Sequence, residues 1–282
     1  MSRAAIVHPQ SPSILTVGIV CYQNSDQQLQ RLLASIEIAC AGIAAEVQVA
    51  ITGNDHKARR FARRKVPVAY RIAKNTGFGY AHNRMMAAAF AGGTTHYLCI
   101  NPDGLLHHAA LRHLLAADER YASQALVEAA QLPIQHPKDF DPLTLDTPWA
   151  SGACFLYPRQ VYEKVGGFDE AFFMYCEDVD LSWRVRQHGF SIKFEPRAFF
   201  YHDAFDRAPN RARQRQLLLS ARMLAYKHGY PGYAKWVEET LLGSGMVRDR
   251  GNLPRITQSA ERPLDPTIAD FDHGLIFAPA RW

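Results

Sequence analysis

The sequence predicts an α/β protein: a mostly parallel central sheet flanked by helices, with a C-terminal helical extension. Three observations carry this. Short β-branched apolar runs alternate with helically periodic segments over the first half. Such runs, apolar throughout, suit strands buried on both faces. The strands end in polar, turn-forming stretches, "CYQN", "TGND", "KNTGFG" and "NPDG", and ligands bind at the carboxyl ends of parallel strands.

In chain order, "SILTVGIVCY" reads as the first strand, and "QNSD" follows as a turn. Ser25 or Asp26 then caps a helix whose Leu29, Leu32, Leu33 and Ile36 fall at helical spacing. "AEVQVAITGND" and "VPVAYRIAKNTGFG" are the next two strands. "MMAAAFAGG" is a helix closed by glycine, and "HYLCINPDG" is a strand stopped by Pro102. In the second half, "PWASGACFLYP" and "FSIKFEPRAFFYHD" read as strands. "EDVDLSWRVRQHG" is a short helix ending at Gly189, and "NRARQRQLLLSARMLAYKHG" a longer one ending at Gly229. The expected division is a tail over 1–12, one domain over 13–242 and a turn-rich extension over 243–282.

Composition narrows the class. With 282 residues, 48% of them hydrophobic, the chain buries a core and is not disordered. No uncharged apolar run reaches the length of about 18 residues that a spanning helix needs. The first residues lack the apolar stretch and cleavage site of a secretory signal. Five scattered cysteines without C-x-x-C pairs predict reduced thiols and a cytoplasmic setting. A net charge of +5 suits anionic ligands and is no nucleic-acid signature.

Several stretches admit an ordinary and a functional reading. The G-x-G of "NTGFG" serves a tight strand-to-helix connection. Equally, Gly77 and Gly79 let backbone approach a ligand, with Asn75 and Asn83 supplying amides. Asp103 in "NPDG" is a turn residue or a hard-cation ligand. His202 becomes a metal ligand only where a carboxylate meets it. On the long helix Leu217, Ala221 and Leu224 share one face and Arg211, Arg215 and Arg222 nearly the opposite one. The arginines either solvate that face or meet an anionic partner, whether a bilayer surface or phosphates.

"MYCEDVDLSWR" sets three carboxylates within four residues, just after two phenylalanines. Glu177 and Asp178 suit the positive start of a helix, and Asp180 pairs with Arg184 at i,i+4. Helix chemistry does not explain the aromatics beside the acids. A carboxylate held against apolar groups is tuned to accept a proton.

Together these segments resemble glycosyltransferase family 2 from about Ile14 to Tyr230. The longest block is "SGACFLYPRQVYEKVGGFDEAFFMYCEDVDLSWRVRQHGFSIKFEPRAFFYHD", and its nearest likeness is to rhamnosyltransferase-like enzymes of bacterial surface polysaccharide (O-antigen) synthesis. The resemblance implies a GT-A fold and inverting sugar transfer from a nucleotide-diphosphate donor to a saccharide or lipid-linked acceptor. It implies Asp178 as general base and Asp103 and His202 as ligands of Mn²⁺ or Mg²⁺. Tyr22, Asn54, Asp55, Asn75, Gly77, Phe78, Asn83 and Asn101 fall at donor-side positions. Trp149, Ser151, Gly152, Glu177 and Arg184 fall on the acceptor side. Peripheral contact with the inner membrane face is part of the same expectation. Two departures stand out. Asn101-Pro102-Asp103 replaces one carboxylate of the D-x-D motif by an amide, and "TGND" shifts the expected base-contact pair. The rival readings are a metal-dependent phosphoesterase acting on nucleotide sugars and a non-catalytic nucleotide-sugar-binding protein.

Overall fold

The computed structural model describes residues 13–54, 64–136, 138–203 and 210–256. Eight strands form one sheet in the order β3-β2-β1-β4-β7-β6-β8-β5. These are β1 (Ile14–Cys21), β2 (Glu46–Gly53), β3 (Val68–Ile72), β4 (His96–Ile100), β5 (Gly104–Leu106), β6 (Ala125–Leu132), β7 (Cys154–Pro158) and β8 (Ser191–His202). β1 pairs parallel with β2 and β4, β2 with β3, and β6 with β8. Only β7 and β5 run against the others. The mostly parallel sheet expected from the sequence is therefore present.

The first helix, α1 (Asp26–Cys40), starts as expected. Ser25 accepts from the Gln28 N–H while Gln28 reaches back, a reciprocal capping box. Its Leu29, Leu32, Leu33 and Ile36 are buried, and with α3 (Ala110–Arg120) they fill one side of the sheet. The other side is covered by α2 (Phe78–Ala91), α4 (Arg159–Val165) and α5 (Glu177–Gln187), through Met86, Phe90, Val161, Leu181 and Val185. A third cluster joins Trp149, Phe172, Val179 and Trp183 to α6 (Arg211–Lys227) and α7 (Pro231–Gly243), through Leu224, Ala225 and Ala234. The last pair of helices thus packs directly over the segment that carries the acid cluster.

After α7 the chain folds back on α6, with a 3₁₀ turn at Arg250–Asn252. The tail over 1–12 and the end of the expected extension, 257–282, lie outside the described residues. No helix among the described residues is long and apolar enough to cross a membrane.

Candidate active site

The polar ends of the strands converge as the sequence implies. β1 and β4 are neighbours, but the chain leaves β1 toward β2 and β3 and leaves β4 toward the other edge. Ligands bind at such a switch point, beyond the carboxyl ends of the strands. A cleft of about 670 Å³ opens there. Tyr22 follows β1, Asn101 and Asp103 follow β4, and His202 ends β8. β7 runs the opposite way, so the residues before it, Trp149 to Ala153, reach the same edge.

The acids enter from the side of α6 and α7. Tyr175 and Cys176 both take left-handed backbone conformations, with φ of 69° and 64°. Non-glycine residues sit there at a cost, and such strain gathers at functional sites. The turn swings the chain into α5 and places Glu177 and Asp178 on the cleft wall. Asp178 accepts from the Gly152 N–H at 2.8 Å and from the Val179 N–H at 2.9 Å. Burial pushes its carboxyl above the ordinary range, while those two N–H groups and the Lys138 ammonium pull it back. Glu177 is buried too, and its Oε2 finds no partner. Burial first, and then the charge of Asp178, push it well above the usual carboxylate range. Asp180 turns away from the cleft. Burial alone would raise it, but His228, Arg184 and Lys227, with polar atoms 2.6–2.9 Å from its oxygens, hold it well below the carboxylate norm.

Across the cleft, Asp103 Oδ1 lies 3.3 Å from His202 Nε2. The Asn101 amide donates toward the same nitrogen at 3.4 Å. Antiparallel pairing of Gly104 with His202 brings these side chains together, so residues distant in sequence form one polar corner. A carboxylate and an imidazole there fit manganese or magnesium, with remaining positions left to diphosphate oxygens and water. Among the described residues no group of three or more His, Cys, Asp or Glu converges on a metal position.

The donor loop has a different emphasis from its sequence reading. Asn75 and Phe78 line the cleft, and the Asn75 side chain accepts from the Gly77 N–H. Gly77 has φ of 107°, and a Cβ there would stand 2.6 Å from the Phe173 carbonyl oxygen. Its close approach is to protein backbone, which accepts from the Phe78 N–H at 3.0 Å. Asn83 is not in the cleft: it donates to the Phe168 carbonyl and Glu170 and accepts from the Phe168 N–H. Arg184 is likewise spent, on Asp180 and the Val165 and Gly167 carbonyls. These two hold the segment leading to the acids and do not line the cleft. Asn54 is exposed just beyond β2 and does not line the cleft. Asp55 lies outside the described residues.

Trp149, Ser151, Gly152 and Glu177, which the resemblance put on the acceptor side, line the cleft. His136 also lines it, near Ser151 Oγ at 3.2 Å. Burial, followed by Lys138 and His202, lowers its pKa to about 3, so it stays neutral at physiological pH. The sequence reading missed His136, and it missed an apolar and aromatic wall of Leu217, Leu218, Ala221, Tyr233 and Trp236, with Arg213 at its end. The helical stripe containing Leu217 and Ala221 was visible in sequence. That it faces a ligand cleft was not.

The arginines singled out on α6 have other work. Arg211 donates to the Ser244 carbonyl, Arg215 to that of Met246, and Arg222 to Glu238 and the Pro254 carbonyl. They clamp the returning C-terminal segment. The sequence reading gave them no such role.

Comparison with known proteins agrees with this geometry. Residues 142–218 match a family model described as glycosyltransferase like family 2. Over 54 residues the chain is 46% identical to an N-acetylglucosaminyl-diphospho-decaprenol L-rhamnosyltransferase of Mycobacterium tuberculosis, covering 19% of this chain and 18% of that one. It is 26% identical over 162 residues to Rhamnosyltransferase WbbL of Escherichia coli K12, covering 45% of this chain and 61% of the relative. The matched spans thus fall short of two thirds of either relative's length. Among solved structures, mannosyltransferase PcManGT from Pyrobaculum calidifontis in complex with GDP-Man and Mn²⁺ superimposes with a TM-score of 0.58 at 14% identity, covering 89% of this chain and 81% of that one. TarS of S. aureus gives 0.53 at 14% identity, covering 84% and 44%. The fold is that of the GT-A glycosyltransferases. Over residues 142–218 the chain is similar to glycosyltransferase family 2, and the relatives it matches over part of their length are rhamnosyltransferases.

Proposed function

We propose that this protein transfers a sugar, rhamnose by analogy with its relatives, from a nucleotide-diphosphate donor with inversion. The acceptor is a saccharide, carried on a lipid in the manner that the mycobacterial relative's name describes. The observation that carries the reading is Asp178, a carboxylate fixed by the Gly152 N–H on the wall of a cleft that also holds the Asp103–His202 corner. In this reading the acceptor hydroxyl gives its proton to Asp178 as it attacks the anomeric carbon. The C–O bond to the diphosphate breaks on the opposite face. A partly desolvated carboxylate with a raised pKa is a stronger base than one in water, which suits that task. Asp103 and His202 are the residues that would hold a divalent cation, which supplies counter-charge to the leaving diphosphate. Phe78 and Tyr22 offer ring faces on the donor side, and Trp149 on the acceptor side.

The test is Asp178→Asn, made beside the wild type and assayed with a panel of nucleotide-diphosphate sugars and lipid-linked saccharides. Base catalysis contributes about 100- to 10,000-fold, so kcat should fall by at least about 100-fold with the melting midpoint and donor binding preserved. A variant retaining a tenth of wild-type turnover with chemistry rate-limiting would exclude Asp178 as the base. Donor binding without turnover on any acceptor would favour a binding protein. Sugar release to water as the main reaction would favour a hydrolase.

A further inference from the structure

Beneath the cleft lies an ion pair that does not itself line it. Glu128, in the middle of β6, is fully buried, and the Lys138 side chain is 2% exposed. Lys138 Nζ donates to Glu128 Oε2 at 2.5 Å and to the Trp149 carbonyl, and it stands 4.1 Å from the centre of the Trp149 ring. Glu128 Oε1 accepts from the Ser151 N–H at 3.1 Å. The pair therefore grips both ends of the short loop Trp149–Ser151. Two further side chains complete the grip. Ser182 Oγ accepts from the Ala150 N–H and donates to the Asp178 carbonyl, and Cys99 Sγ donates to the Gly152 carbonyl. The Gly152 N–H left over is the one that holds Asp178. Burying a lysine and a glutamate is costly, and a pair of apolar residues would serve stability as well. A structural role alone leaves that cost unexplained.

We propose that Lys138, held by Glu128, is a positioning residue for Asp178: it fixes the Trp149–Gly152 loop and sets a buried positive charge behind the carboxylate. The groups facing Asp178 are otherwise acidic or neutral. Cys176 and Glu177 come from its own segment, Cys99 from β4 and Glu128 from β6. Behind the Gly152 and Val179 N–H groups, Lys138 is the positive charge that pulls the Asp178 carboxyl back toward its ionised form. The proposal rests on Asp178 being the base, but its test does not require turnover.

The experiment follows the Asp178 carboxyl carbon by NMR in protein with ¹³C-labelled aspartate, the signal being assigned by its loss in Asp178→Asn. Glu128→Gln keeps the acceptor for the Ser151 N–H and removes the charge that neutralises Lys138. The Asp178 midpoint should then fall. Glu128→Gln with Lys138→Met removes both charges at nearly constant volume, and the midpoint should rise by about one pH unit, the scale on which a close charge acts. Lys138→Arg, which keeps the charge, should stay nearer the wild type than the double variant. Opposite signs in the two Glu128 variants are the signature; if one fails to fold, the sign of the other decides. Shifts of the same sign, no shift, or loss of fold in both would overturn the proposal and leave the pair a purely structural one. Failure of sugar transfer with the opposite signs intact would count against the assigned function and not against the charge coupling.

Discussion

Glu177 and Asp178 are adjacent in the first turn of α5, yet their surroundings differ. Asp178 has two N–H groups and a buried lysine to favour its charge; Glu177 has an oxygen with no partner. Burial holds both acids above the ordinary range, and the charge of Asp178 pushes Glu177 well above it. The sign for stability follows. Between the ordinary carboxylate midpoint and the raised one, the folded protein holds more protons than the unfolded chain. Stability therefore falls as pH rises through that window and stays reduced above it. Glu177→Gln removes this penalty. It should raise the melting midpoint at pH 8 and have little effect at pH 4, with each kcal/mol appearing as about 2–4 °C in a protein of this size. A gain equal at both pH values would show that the buried charge is not the cause.

At the scale of elements, α6 and α7 form the lid of the site, and their junction is electrostatic as well as apolar. Glu238 accepts from Arg222 at 2.7 Å, from Tyr226 at 3.0 Å and from Arg250 at 2.9 Å. Glu238→Ala would remove the acceptor that the three share at a largely buried position, at a cost of roughly 1–3 kcal/mol. A urea titration should show that loss, and Glu238→Gln should recover part of it. If the alanine variant costs less than about 0.5 kcal/mol, the network is merely a surface one. This junction shows what could be read in sequence and what could not. The period of α1, its serine cap and the buried stripe on α6 were explicit in the residues. The partners that Arg211, Arg215 and Arg222 find in the C-terminal segment were not, because they are backbone carbonyls of a turn-rich stretch more than 30 residues away. β6 escaped for another reason. "ALVEAAQL" is rich in alanine and carries Glu128 at its centre, so neither strand propensity nor alternation marks it. The acid cluster stood out in sequence because its spacing is local. Its supports, Gly152 and Lys138, are brought to it only by the antiparallel return of β7 and the loop before it.

For the whole molecule, the question is where a donor's diphosphate charge goes. The sequence offered three arginines on α6 as counter-charge, but each is held by the C-terminal segment. Arg213 lines the cleft, on the wall built by α6 and α7. The Asp103–His202 corner lies at the switch point, where donors bind in this class of sheet. In the proposed reading, a divalent cation held there by Asp103 and His202 would be the counter-charge. Nucleotide diphosphates should therefore raise the melting midpoint strongly with Mn²⁺ present and weakly in excess EDTA. At 100 times the dissociation constant, binding adds about 2.7 kcal/mol, or roughly 5–10 °C here. Imidazole suits manganese better than magnesium, so Mn²⁺ should do at least as well as Mg²⁺. Asp103→Asn and His202→Ala should each reduce the metal-dependent part of the shift while leaving the metal-free midpoint near that of the wild type. Arg213→Gln should leave the shift intact, because its place is on the far wall. An undiminished shift in EDTA that disappears in Arg213→Gln would reverse the assignment. It would make the arginine, and not the acid–histidine corner, the group that receives the diphosphate.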